Sequence, residues 1–227
     1  MLEVLYEDND IIVCVKPVGT LSQKSQQGDE NNMCDIISEY LKSKGENDYV
    51  APLHRLDRAV GGVMAFAKNQ KSASVLSADI QNHKFKKEYL AIVHNCPSEK
   101  EGVLEDLLFK DSSKNKSFVV KRMRKGVKKA SLNYKVLATE NSKYGELSLV
   151  HIKLNTGRTH QIRVQFSSRK MCLLGDGKYG AKDNCDIALW SYSLCFNQPR
   201  TKEKIEVKKL PELTKGWEIF KGVLNED

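Results

Sequence analysis

Apolar positions along the chain follow two rhythms, and the period-two rhythm prevails. In 131-SLNYKVLA-138, Leu132, Tyr134, Val136 and Ala138 share one face. In 148-SLVHIKLN-155, Val150, Ile152 and Leu154 alternate with His151, Lys153 and Asn155. In 188-ALWSYSLCF-196, Ala188, Trp190, Tyr192, Leu194 and Phe196 alternate with smaller or more polar neighbours. Successive strand side chains point to opposite faces, so each segment predicts a strand with one covered face. Residues 87-KEYLAIV-93 also read as a strand, and 11-IIVCV-15 as a short apolar one stopped by Lys16-Pro17 and then Gly19.

The helical rhythm is rarer. Over 32–45, Met33, Ile36, Ile37, Tyr40 and Leu41 recur at i, i+3, i+4, i+7 and i+8, with Asn31 or Asn32 to cap the start and Gly45 to end it. A second helix is predicted over 70–83, with a weaker apolar face through Val75, Leu76 and Ile80. Residues 20–31 are polar and read as a loop. Strand after strand with few long helices predicts an α+β fold on a mostly antiparallel mixed sheet with flanking helices. No linker is evident, so residues 1–227 are expected to form a single domain, with the stretch around 110–129 inserted as a loop or hairpin.

Composition narrows the function classes. Of the 227 residues, 40% are hydrophobic and 29% charged, as in soluble globular chains. No apolar run is long enough for a membrane span. The acidic N-terminal start lacks the basic region of a secretory leader, so a cytoplasmic location and no membrane partner are expected. The six cysteines form no CxxC or His/Cys cluster, which argues against structural zinc, and Cys14 and Cys195 read as buried reduced thiols. The net charge of +8 favours a polyanionic partner. It is concentrated in 110–129, where nine basic residues accompany one acid, Asp111. That stretch is either a solvated loop or a phosphate-contacting surface, because clustered cations release counterions from nucleic acid.

Three clusters carry candidate chemistry. In 54-HRLDRAVGGVMAFAKN-69, Asp57 stands between Arg55 and Arg58, whose guanidiniums favour its charged form. An ionised carboxylate is a nucleophile or a base; an exposed ion pair is the plainer alternative. Gly61 and Gly62 allow backbone to approach a ligand. In 155-NTGRTHQIRVQF-166, Thr159 can cap a helix starting near His160, Ile162 and Phe166 point to the core, and Arg158 and Arg163 are cationic. In 86-KKEYLAIV-93, Tyr89 reads either as a core residue or as a flat ring for a base. There is no GxxxxGK[ST], GxGxxG or GxSxG motif, and the five histidines show no metal-ligand spacing.

These clusters, with KPVGTL at 16–21 and LLGDGKYG at 173–180, resemble in content and order the RluA-type pseudouridine synthase family. The resemblance implies the pseudouridine synthase catalytic domain, an isomerase converting uridine to pseudouridine in rRNA or tRNA, with no cofactor. It implies Asp57 as catalytic carboxylate, Arg55 as the residue that replaces the flipped nucleotide, and Tyr89 packed on the target base. Arg163 would pair with the aspartate, and Val164 would lie against the base. Two features depart from the pattern: Ala59-Val60 lack the hydroxyls the family carries behind the aspartate, and Gln165 replaces a common histidine. The chain has no room for a separate S4-type RNA-binding domain, so Arg158, Lys121, Arg122, Arg124 and Lys125 are expected to grip RNA, in a monomer. A non-catalytic RNA-binding protein of the same fold is the alternative.

Overall fold

A computed structural model describes residues 2–24, 31–214 and 216–225. Of the loop expected over 20–31, residues 25–30 lie outside these. The chain divides into two compact units, residues 1–87 with 190–210, and residues 88–189 with 211–227.

The first unit is built on β1 (Val4–Glu7), β2 (Ile11–Lys16), β3 (Ala51–Pro52), β4 (Gly61–Ala67), β10 (Leu189–Asn197) and β11 (Lys204–Lys208). Its strands run β1-β2-β4-β10-β11, with β3 also on β4; all pairs are antiparallel except β4 with β10. Helices α1 (Met33–Ser43) and α2 (Gln70–Gln81) flank it. Both begin at an asparagine whose side chain accepts the backbone N–H three residues on, Asn32 from Asp35 and Asn69 from Ser72. Gly45 follows α1 at φ +74°, a left-handed stop. The core joins Ile11, Val13, Val63, Leu76, Leu194 and Phe196.

The second unit is an antiparallel meander, β5 (Lys86–His94), β6 (Glu101–Asp111), β7 (Lys116–Val120), β8 (Val127–Ser142) and β9 (Gly145–Leu154), paired in the order β5-β9-β8-β6-β7. With it go α3 (Gln161–Ser167), α4 (Lys221–Leu224) and two short 3₁₀ turns at Gly177–Tyr179 and Trp217–Phe220.

The α+β class and the mostly antiparallel mixed sheet match the expectation. Of the loop or hairpin expected for the basic stretch, the chain forms the hairpin: β6 ends at Asp111, β7 covers Lys116–Val120, and β8 starts at Val127. Other details differ. Strand β6 carries charged residues on both faces, β11 on one, and β7 is only five residues long, so an apolar pattern did not reveal them. β10 is covered on both faces, with Ser191 and Ser193 buried opposite Leu194 and Phe196. Cys14 is fully buried, and burial pushes its thiol up to about 12; Cys195 is only half-buried.

Candidate functional site

In the first unit, Asp57 lies half-buried in the loop between β3 and β4, with Arg55 and Arg58 exposed beside it. That loop is braced from outside itself. Lys16 ends β2 with its ammonium completely buried, 2.6 Å from the Thr20 carbonyl, 2.9 Å from Pro17 and 3.3 Å from Arg58. Gly19 donates its N–H to the same Arg58 carbonyl at 2.8 Å, and Arg58 Nε returns a bond to the Gly19 carbonyl at 2.9 Å. Ser22 Oγ donates to the Leu56 carbonyl and accepts the Leu56 N–H, at 2.9 and 3.0 Å. The segment after β2 thus supplies the stiffening that hydroxyls at 59 and 60 do not. Burial pushes the Lys16 ammonium down to about 8, against the opposing pull of the Asp57 charge. A buried ammonium is tolerated only where its donors are met, and here three carbonyls meet them.

Sequence reasoning read Lys16 as a strand stop, and its role was missed. A lysine closing a fully buried strand was the available signal, since lysine is rarely buried without partners. The two glycines also serve differently from expectation. Gly62 has φ +120°, and a Cβ there would run into the Ser191 backbone; one on Gly61 would strike the Trp190 ring. Their smallness admits β10 alongside β4 just after the Asp57 loop. His54, immediately before Arg55, accepts the Ala65 N–H through Nε2, while its Nδ1 has no hydrogen-bond partner; burial, aided by Lys87, depresses the imidazole to about 3.

In the second unit, Tyr89 lies on β5, buried opposite Ile152 of β9. Arg163 and Val164 both face inward from α3. Arg163 lays Nε and Nη2 on the two oxygens of Asp176, at 2.8 and 2.7 Å, and its guanidinium carbon is 5.2 Å from the Tyr179 ring centroid. Val164 packs with Leu108, Ala130 and Tyr179. Neither Asp176 nor Tyr179 was singled out from sequence, although both stand in the quoted 173–180 motif. Tyr179 links α3 to the hairpin: its hydroxyl accepts the Ser117 N–H and lies 2.9 Å from His160 Nδ1, and Lys116 Nζ stands 4.8 Å from its ring centroid.

Thr159 does not cap α3. The cap position is His160, in the left-handed region at φ +53°, with no side-chain cap bond. Gln161 instead takes the Arg158 N–H on its side-chain oxygen. Gln165 is fully buried and donates to the Leu104 carbonyl and to Asp106, tying α3 to β6. Arg158 bonds the Lys129 carbonyl, while Lys121, Arg122, Arg124 and Lys125 are exposed at the β7–β8 turn. Among the described residues, no three His, Cys, Asp or Glu side chains are grouped to hold a metal ion.

The RNA pseudouridylate synthase family matches residues 10–168, which include Asp57, Tyr89, Arg163 and Val164. The chain belongs to that family. Within this RNA pseudouridylate synthase family, relatives include YhcT of Bacillus subtilis, an uncharacterized RNA pseudouridine synthase, 32% identical over 79% of this chain and 58% of its own length. The tRNA pseudouridine synthase C of Haemophilus ducreyi is 29% identical, covering 96% of this chain and 94% of that protein. The ribosomal large subunit pseudouridine synthase D of Borreliella burgdorferi is 30% identical, covering 93% and 66%. The chain therefore spans under two thirds of the length of YhcT. Among solved structures, human RNA Pseudouridylate Synthase Domain Containing 4 superposes with a TM-score of 0.76 at 21% identity, over 93% of this chain and 89% of that one, a likeness of fold. The family named by the motifs is the family found.

Proposed function

We propose that this protein isomerises uridine to pseudouridine in structured RNA, with Asp57 as the catalytic carboxylate. The reaction breaks a C–N glycosidic bond, turns the uracil and forms a C–C bond. Asp57 either attacks as a nucleophile or removes a proton, and both routes need it ionised. Tyr89 packs on the target base and Val164 lies against it. Arg163 balances the carboxylate charge, and Arg55 takes the place of the extruded nucleotide, whose unstacking costs a few kcal/mol. These roles rest on the motifs in which the residues stand.

The single observation that best supports the reading is the bracing of the Asp57 loop. Lys16, Gly19 and Ser22 fix its backbone at 56 and 58, and a binding protein has no need to hold a carboxylate so firmly. The family membership and the names of the relatives, which act on tRNA and large-subunit rRNA, point to one of those RNA classes as substrate. We place the protein in the cytoplasm as a monomer. No helix among the described residues is long and apolar enough to cross a membrane.

The test uses unmodified cellular RNA and chemical mapping of pseudouridine. Wild type is expected to make pseudouridine, and Asp57→Ala to bind the RNA without making any. Equal product from both would refute the assigned role; no product from either would favour the binding-only alternative. Replacing Lys121, Arg122, Arg124 and Lys125 by alanine should flatten the salt dependence of binding by about 0.7 in slope for each phosphate that is no longer neutralised.

A further inference from the structure

The meander of β6, β7 and β8 has two faces of different character. On one, Leu108 and Ala130 pack with Val164 and Tyr179. An antiparallel meander covered on one face normally turns polar side chains outward on the other. Here strand register sets Leu107 opposite Val120, and Phe109 opposite both Phe118 and Val127, on the face turned away from α3. Phe118 is 37% exposed. A cation accompanies the rings, the Arg124 guanidinium carbon lying 5.0 Å from the Phe109 centroid, whereas Lys116 Nζ, 5.8 Å from that of Phe118, donates to the Lys178 carbonyl and lies nearer the Tyr179 ring. Lys129 pairs directly with Leu107, and two acids share this face of β6, Glu105 beyond Leu107 and Asp111 beyond Phe109, the latter opposite Lys116.

We propose that this face is a stacking platform for an unpaired segment of RNA, with Phe118 receiving a base and Arg124 and Lys129 the adjacent phosphates. It rests on the RNA-modifying reading above and extends it, naming as substrate an RNA with a single-stranded stretch outside the target nucleotide. An exposed ring beside cations suits a ligand that alternates flat apolar faces with negative charge. Base faces are hidden in a duplex, so the platform discriminates between strands that are paired and strands that are not.

The test is fluorescence anisotropy at fixed salt with the full-length protein. The probes are a labelled mixed-sequence single-stranded RNA of about 12 nucleotides and the blunt duplex of the same sequence. Phe118→Ala is expected to weaken single-strand binding by ~5-fold or more, to leave duplex binding unchanged, and to be rescued by Phe118→Trp. An equal loss on both probes, no loss, or failure of tryptophan to rescue overturns the platform. Pseudouridine mapping with wild type decides the underlying reading separately. Product without a Phe118 effect sinks the platform alone, and a Phe118 effect without product sinks the isomerase reading alone.

Discussion

Arg163 closes both arms of its guanidinium fork on the carboxylate of Asp176, thirteen residues further along the chain. Both side chains are almost completely enclosed. The guanidinium is therefore oriented by the fold itself, before any RNA arrives. Bidentate pairs of this kind fix direction as well as charge, and the Tyr179 ring beside it limits movement.

Removing the Asp176 carboxylate takes both of these bonds from a buried cation. Asp176→Ala should lower unfolding stability by about 3–5 kcal/mol, read by denaturant titration. Asp176→Glu should recover part of it. A loss below about 1 kcal/mol would mean that solvent reaches Arg163 and that the pair does not set its geometry.

The sequence announced this network only in part. Arg163 was legible because its motif is specific, but Asp176 sits in a glycine-rich turn with no periodicity to mark it. Likewise α1 and α2 were read within two residues, since asparagine caps and helical spacing are local signals. The hairpin strands β6 and β7 were not, because their partners are set by register across the sheet. Lys16 was read as punctuation for the same reason: its three carbonyl partners include one 42 residues away, at Arg58. Local patterns are written in composition, whereas the closing of a polar network in space is not.

Tyr89 separates ring from hydroxyl. If the ring packs on the target base, Tyr89→Phe keeps most of the surface and Tyr89→Ala loses it. Single-turnover rates should fall far less for phenylalanine than for alanine. Equal and severe loss in both would assign the work to the hydroxyl.

Glu7 sets an acid limit on the first unit. Burial alone would raise its carboxyl, but hydrogen bonds from Lys44, Lys68 and Tyr40 outweigh this and hold it at about 2. Lys68 is itself buried and also bonds Glu46 at 2.6 Å. A carboxyl depressed in the folded state stabilises fully above its unfolded value near 4.5, and that contribution is lost as pH falls towards 2. Thermal melts of wild type should fall across this window, and the Glu7→Gln variant should start lower and fall less steeply. Parallel curves for the two proteins would remove Glu7 from the acid transition.

Lys16 gives a slope of the same sign in an alkaline window, from burial rather than from hydrogen bonds. Its native ammonium loses its proton near 8, whereas the unfolded chain holds it to about 10.5. Between these values the unfolded state binds more protons, so this residue makes stability rise with pH. The buried thiols of Cys14 and Cys34, raised to about 12 and 11, push the other way in part of that window. The lysine is therefore read as a difference: the stability of wild type minus that of Lys16→Met should climb from pH 8 to 10. Because Lys16 holds the Arg58 carbonyl next to Asp57, Lys16→Met should also lower kcat more than it raises KM. Lys16→Arg, which keeps the charge and the donors, should restore part of kcat. If methionine leaves kcat intact while stability drops, Lys16 is a structural peg and the Asp57 loop is held by Gly19 and Ser22 without it.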